Sequence, residues 1–195
     1  MTRRSRLCAA LISVAVVGAI VGLAGCAHRG NPGATSTATT TKTATWSRPA
    51  SPPDPQVLLR AGAAAVKQVP GGTLISIRSE QSGAWKVQVA TPDGTDESMD
   101  VSSDGVTVMV GPTPRRESDA DKAKIRARVQ AARLDYRAAV GKMLAAVHDG
   151  AITEMKLAER NGATVWEADV WDTYIVEHKV TINAASGELI ANTQV

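Results

Sequence analysis

Cysteine is nearly missing from this 195-residue chain, which has only Cys8 and Cys26. Cys8 falls inside an N-terminal apolar run. Beyond Cys26, then, no thiol remains for a disulfide, a thiolate nucleophile or a sulfur-ligated metal. Whatever folds there is held by packing alone. An excess of one charge sign is missing too. The formal charge is +3, but Arg3, Arg4 and Arg6 lie in a segment expected to be cleaved. Without them 19 basic residues face 19 acidic ones, and the electrostatic footprint of a DNA- or RNA-binding protein is absent. No HExxH, no Gly-rich phosphate loop and no nucleophile elbow occurs, so neither a catalytic residue nor a cofactor is nominated. The expectation is that this is not an enzyme.

Few histidines are available for a metal. His28 lies in a tether, His148 at the expected end of a helix, and His178 on a strand face with Val176, Val180 and Ile182, where a core or edge role fits best. Asp93, Asp96, Asp100 and Asp104 suggest calcium by their number. Their spacing lacks the position-twelve Glu of an EF-hand loop, and turn chemistry accounts for them. No metal is expected. With no Phe, 44% apolar and 21% charged residues, the chain fits one medium domain or two small ones.

What is present is clearest at the N-terminus. A positive region and an apolar run over residues 7–24 form the charge-then-apolar order of an export signal. At about 18 residues the run is also long enough to span a membrane. Leu23-Ala24-Gly25-Cys26 decides between the two, because it resembles the lipobox of bacterial lipoproteins. That resemblance implies cleavage between Gly25 and Cys26 and lipidation of Cys26, with enough acyl chains for stable anchoring. The expected location is the extracytoplasmic side of the cell membrane. Residues 26–53 contain seven Thr and four Pro and read as a disordered tether from the lipidated Cys.

From Asp54 the pattern changes. Asp54-Pro55 starts a helix, Pro70-Gly71-Gly72 stops it, and alternating runs follow at 73–80, 84–91, 97–102 and 106–110. The same order returns: a stripe of Tyr136, Val140, Met143, Leu144 and Val147, then runs at 151–159, 164–171, 174–183 and 187–192. Gly72 aligns with Gly150, Gly83 with Gly162, and Trp85-Lys-Val-Gln-Val89 with Trp166-Glu-Ala-Asp-Val170. Alternation turns Trp85 and Trp166 inward, as core rather than as a ligand cage. The expected fold is α+β: two tandem units, 54–112 and 134–195, each a helix on a 3–4-stranded antiparallel sheet. A basic helical linker over 113–133 joins them.

This helix, Gly, strand, Gly, aromatic-x-apolar-x-Val order resembles the PepSY domain. The closing Val180-Thr-Ile-Asn-Ala-Ala-Ser-Gly187-Glu-Leu189 is similar to the family's terminal turn, with Asn183 where Asp is usual. The first copy departs further, since Val101-Ser-Ser-Asp-Gly105 is shorter and lacks the Glu. The resemblance implies a non-enzymatic envelope lipoprotein that binds, and inhibits or modulates, an extracytoplasmic peptidase or another envelope protein. The alternative is a carrier or sensor of a lipid or small apolar ligand held between sheet and helix. The Ala, Thr, Val and Arg bias suits a high-GC, actinobacterial source.

Two surfaces stand out. Trp171 alternates to the face opposite Trp166, with Tyr174 beyond the Asp172-Thr173 turn. The pair is either a partner surface or cover for the junction between the units. In the linker, Lys122, Lys124, Arg126 and Arg128 either meet anionic headgroups or form a solvated face with i,i+4 pairs. Oligomeric state is not legible.

Overall fold

The computed structural model describes residues 54–195. The readings on Gly25, Cys26 and the tether fall outside them. Helix α1 (Pro55–Gln68) starts where Asp54 accepts a hydrogen bond from the Gln56 N–H at 2.9 Å, with Pro55 in the first turn. Helix α2 (Asp119–Ala131) is capped by Ser118, with Asp119 and Asp121 near its positive end. Helix α3 (Tyr136–Ala146) is capped by Asp135. Helices α2 and α3 are separate, and only α2 lies in the basic segment 113–133. The break between them has a partner: the Arg133 and Leu134 N–H groups both donate to the Ala184 carbonyl, at 3.0 and 2.9 Å.

Eight strands follow the expected runs, except that the fourth, expected over 106–110, starts two residues later and runs on to Pro114. In the first half they are β1 (Thr73–Ser79), β2 (Trp85–Ala90), β3 (Asp96–Val101) and β4 (Val108–Pro114). In the second they are β5 (Ala151–Arg160), β6 (Ala163–Trp171), β7 (Glu177–Asn183) and β8 (Leu189–Gln194). Residues 174–176, expected in a strand, lie in the β6–β7 turn instead. Its Tyr174 and Val176 N–H groups donate to the Asp172 carboxylate.

The expectation of two separate sheets needs correction. All eight strands form one antiparallel sheet in the order β4-β3-β2-β1-β5-β6-β7-β8. The first strand of each half is an edge that would stay unpaired alone, and β1 and β5 satisfy each other. Ile77 faces Met155 there, flanked by Ser76 opposite Lys156 and Arg78 opposite Glu154. Counted from Gly72 and Gly150, this register is symmetric, so a local two-fold axis passes through the Ile77–Met155 pair.

The repeat extends to irregularities that alternation alone does not foresee. The β1 register slips between Leu74 and Ser76, and the β5 register at the equivalent place, between Ile152 and Glu154. At the outer edges one slip in each strand sets an extra residue, Met109 in β4 and Ile190 in β8, and β4 slips once more between the partners of Ser98 and Asp100. The bulges that the halves share bend them at the same places.

One face of the sheet carries α1 and α3. Leu58, Ala61 and Ala65 from α1 join Trp85, Val87 and Val89, and Tyr136, Val140 and Met143 from α3 join Trp166, Met155 and Ile182, in one continuous core. The core is shared between the halves, so the seam is buried as deeply as either side. The helices touch where Gly62 leaves room for the Tyr136 ring, whose hydroxyl donates to the Leu59 carbonyl at 3.3 Å. Helix α2 passes the end of the sheet against the β2–β3 turn. A Cβ at Gly94 would run into the Lys122 carbonyl there.

Candidate functional site

The face of the sheet away from the helices is built from the alternate residues of the same strands. Lys86, Asp100, Lys156, Glu167, Asp169 and Lys179 therefore share it. Three pairs cross strands: Lys86 with Asp100 at 2.9 Å, Lys179 with Asp169 at 2.7 Å and Lys156 with Glu167 at 3.8 Å, while Lys179 also reaches Glu177 of its own strand at 2.9 Å. Arg160 closes on the same Glu167. Burial pulls the Lys179 ammonium down, but its two carboxylate partners outweigh that and hold it above the usual range. A concavity of about 180 Å³ lies here between Lys156, Arg160, Glu167, Asp169 and Lys179. Its walls are charged and already paired, which suits water or a polar surface better than an apolar ligand.

Trp171 ends β6 on this face, opposite Glu177 in register, and is half-buried. Tyr174 is 84% exposed at the tip of the turn. The turn is held from below. His178, buried in β7, places one ring nitrogen 2.9 Å from the Asn192 side-chain oxygen and the other 3.3 Å from Asp172. The Val176 N–H, foremost, and His178 hold the Asp172 carboxyl below the usual carboxylate range. Sequence reading missed this brace, since nothing in the spacing of Asp172, His178 and Asn192 shows that three segments converge.

The four basic residues of α2 do not form one outward patch. Lys122 sits 3.7 Å from the Asp93 carboxylate, and Arg126 donates to the Asp93 carbonyl at 2.6 Å. Arg128 donates to the Leu157 carbonyl at 3.1 Å. Lys124 reaches Asp121 on its own helix and is the most exposed of the paired lysines. Three of the four thus fasten α2 to the β2–β3 turn and to β5.

A second polar cluster was not foreseen. Asp96, 3% exposed at the start of β3, accepts from the Gln88 side chain at 2.7 Å and from Arg115 at 3.3 Å. Its other oxygen has no partner. Burial pushes its carboxyl up to about 6, helped by Glu117 and Glu97 and opposed by Arg115. Asp93 and Asp104 have turn roles instead, the first with Thr91 and Thr95, the second with Ser102 and Val106. Among the described residues no group of three or more His, Cys, Asp and Glu is placed to hold a metal ion. None of their helices is long and apolar enough to cross a membrane.

The family model described as peptidase propeptide and YPEB domain, PepSY, matches residues 121–193. That span takes in most of α2, all of α3 and nearly all of the second four-strand half. No curated protein matches the chain. Among solved structures, it is similar to a candidate lipoprotein of Clostridium difficile 630, at 12% identity and a TM-score of 0.42. That similarity covers 74% of this chain and 95% of the other.

Proposed function

We propose that this chain is an extracytoplasmic lipoprotein, cleaved before Cys26 and anchored by acyl chains on it. In this reading residues 26–53 are a tether carrying two PepSY-like repeats, 54–112 and 134–195, joined by the basic segment 113–133. The repeats are a non-enzymatic binding module that engages and modulates a peptidase or another envelope protein. The PepSY match over 121–193 supports it, because that family is associated with propeptide and regulatory roles. The observation that carries it is Tyr174, a large aromatic side chain left 84% exposed on a turn braced by Asp172 and His178. A rigidly presented aromatic beside a polar face is the usual make-up of an interface anchor. The carrier reading gains no such support, since Leu58, Trp85, Met143 and Trp166 fill the space between helices and sheet.

Crosslinking in intact cells, followed by mass spectrometry of co-purified envelope proteins, tests the binding. Tyr174→Ala and Trp171→Ala are expected to lose the partner while keeping the melting temperature within a few degrees. Unchanged recovery with lower thermal stability would instead make Trp171 a structural cover. The intact mass tests the anchor: residues 1–25 absent and a diacylglyceryl adduct on Cys26 are expected. An unmodified Cys26 would remove the membrane attachment.

A further inference from the structure

The seven large apolar residues most exposed among those described do not scatter. Val106, Met109 and Val110 lie at or beside the β4 edge, while Leu189, Ile190 and Val195 lie at the β8 edge with Tyr174 in the turn next to it. Both edges lack charged residues within their strands. They differ in one respect that decides whether another strand can add. On β4 the Arg115 N–H donates inward to the Asp96 carbonyl. By alternation Thr113 also faces inward, and the outward donor positions fall on Pro112 and Pro114. Proline has no N–H to offer, so the C-terminal half of β4 cannot pair further, and the two register slips around Val110 break the regular edge before it.

On β8 the Val195 N–H donates inward to the Glu177 carbonyl. Ala191 and Thr193 therefore bond to β7, while Asn192 and Gln194 turn their N–H and C=O groups outward. Nothing blocks them. Within the strand only Ala191 is partly covered, and Leu189 and Ile190 are 48% and 55% exposed.

From this asymmetry we infer that β8 is a self-association edge, and that its occupant is β8 of a second copy running antiparallel. A strand paired with its own copy across a two-fold axis meets like residues and their neighbours, so any charge would face a like charge closely. The stretch from Leu189 to Gln194 carries none. A register centred on Asn192 sets Leu189 opposite Val195 of the partner subunit, and does so twice. It also sets the outward donors of Gln194 against the outward acceptors around Ile190 of the partner subunit. The chain already uses this geometry internally, since β1 and β5 are equivalent strands paired across a local two-fold axis. The product is a closed dimer with one sheet running through both copies. The prolines of β4 stop it from growing into a filament.

The test is the mass of the full lipidated chain in detergent, measured by light scattering over a range of concentrations. Two copies per particle are expected. Gln194→Pro removes only an outward donor, and Leu189→Lys sets a charge across the two-fold axis. Each should raise the dimer dissociation constant about tenfold or more, because every loss occurs twice, with an unchanged melting temperature. Met109→Lys on β4 should leave the dimer intact. A single copy at every concentration would overturn the inference. So would a dimer that survives both β8 substitutions, which would assign the pairing to the anchor or the micelle, or one broken by Met109→Lys.

Discussion

Ile77 and Met155, each five residues after a Gly that ends a helix turn in its half, face each other at the centre of the sheet. Both are fully buried. A duplicated unit whose first strand is an edge can satisfy that edge with its own counterpart, and the pair marks where it does so. The two halves then lose independence, because the seam lies inside one core.

Unfolding should accordingly be a single event. Met155→Ala is expected to lower stability by about 2–4 kcal/mol, the usual cost of truncating a buried Met. Urea transitions followed by Trp fluorescence and by far-UV circular dichroism should coincide. Two separated transitions would show that the halves fold on their own.

The two central tryptophans, alike in sequence, should respond differently. The Trp166 indole N–H donates to the Leu134 carbonyl at 3.1 Å, tying β6 to the α2–α3 break. The buried Trp85 N–H has no acceptor. Trp166→Phe loses that bond and leaves a carbonyl short of a donor, at a cost of about 1–3 kcal/mol. Trp85→Phe discards an unsatisfied donor and should cost less than half as much. Equal losses in denaturant midpoint would contradict the difference.

Asp96 should make stability fall as the solution turns neutral. Burial, the largest influence on its carboxyl, holds it near 6 in the folded protein against an ordinary 3.8. The folded state therefore binds the proton more tightly. The stabilisation is complete below about pH 4 and is lost as pH rises through 6, by up to about 2–3 kcal/mol. Asp96→Asn mimics the neutral form. It should flatten stability between about pH 4 and 6.5, the window between the unfolded and folded ionisations, and should raise the melting temperature at the upper end. An unaltered profile would mean that Arg115 keeps the carboxylate charged throughout.

Ile175 is held at a φ of 60° in the β6–β7 turn, a conformation that β-branched residues rarely adopt. Asn tolerates it. Ile175→Asn should be neutral or stabilising by up to about 1 kcal/mol in thermal melts, despite the loss of a half-buried apolar side chain. A marked destabilisation would show that packing, not backbone conformation, dominates at this turn.

Much of the fold could be read directly. Alternating runs between Gly-containing turns foretold eight strands, and the Asp54-Pro55 cap marked the start of α1. The aligned Trp85 and Trp166 both lie in the core, as alternation placed them. The candidate sites were less legible. Alternation singled out Trp171, and the turn beyond it Tyr174, but the brace beneath them needs Asp172, His178 and Asn192 to converge from three segments. On α2 the sequence shows the basic residues but not what their side chains reach. Lys122, Arg126 and Arg128 reach Asp93 and Leu157.

Local chemistry therefore set the elements of this protein: periodicity chooses helix or strand, while caps and turn residues place the ends. Those forces act over a few residues and are written where they act. Tertiary structure alone decided that two similar halves share a sheet, because joining β1 to β5 is a choice among unpaired edges that looks the same from either strand. It also decided which edge stays open. The prolines of β4 were visible from the start, but only the register shows that they occupy the outward donor positions.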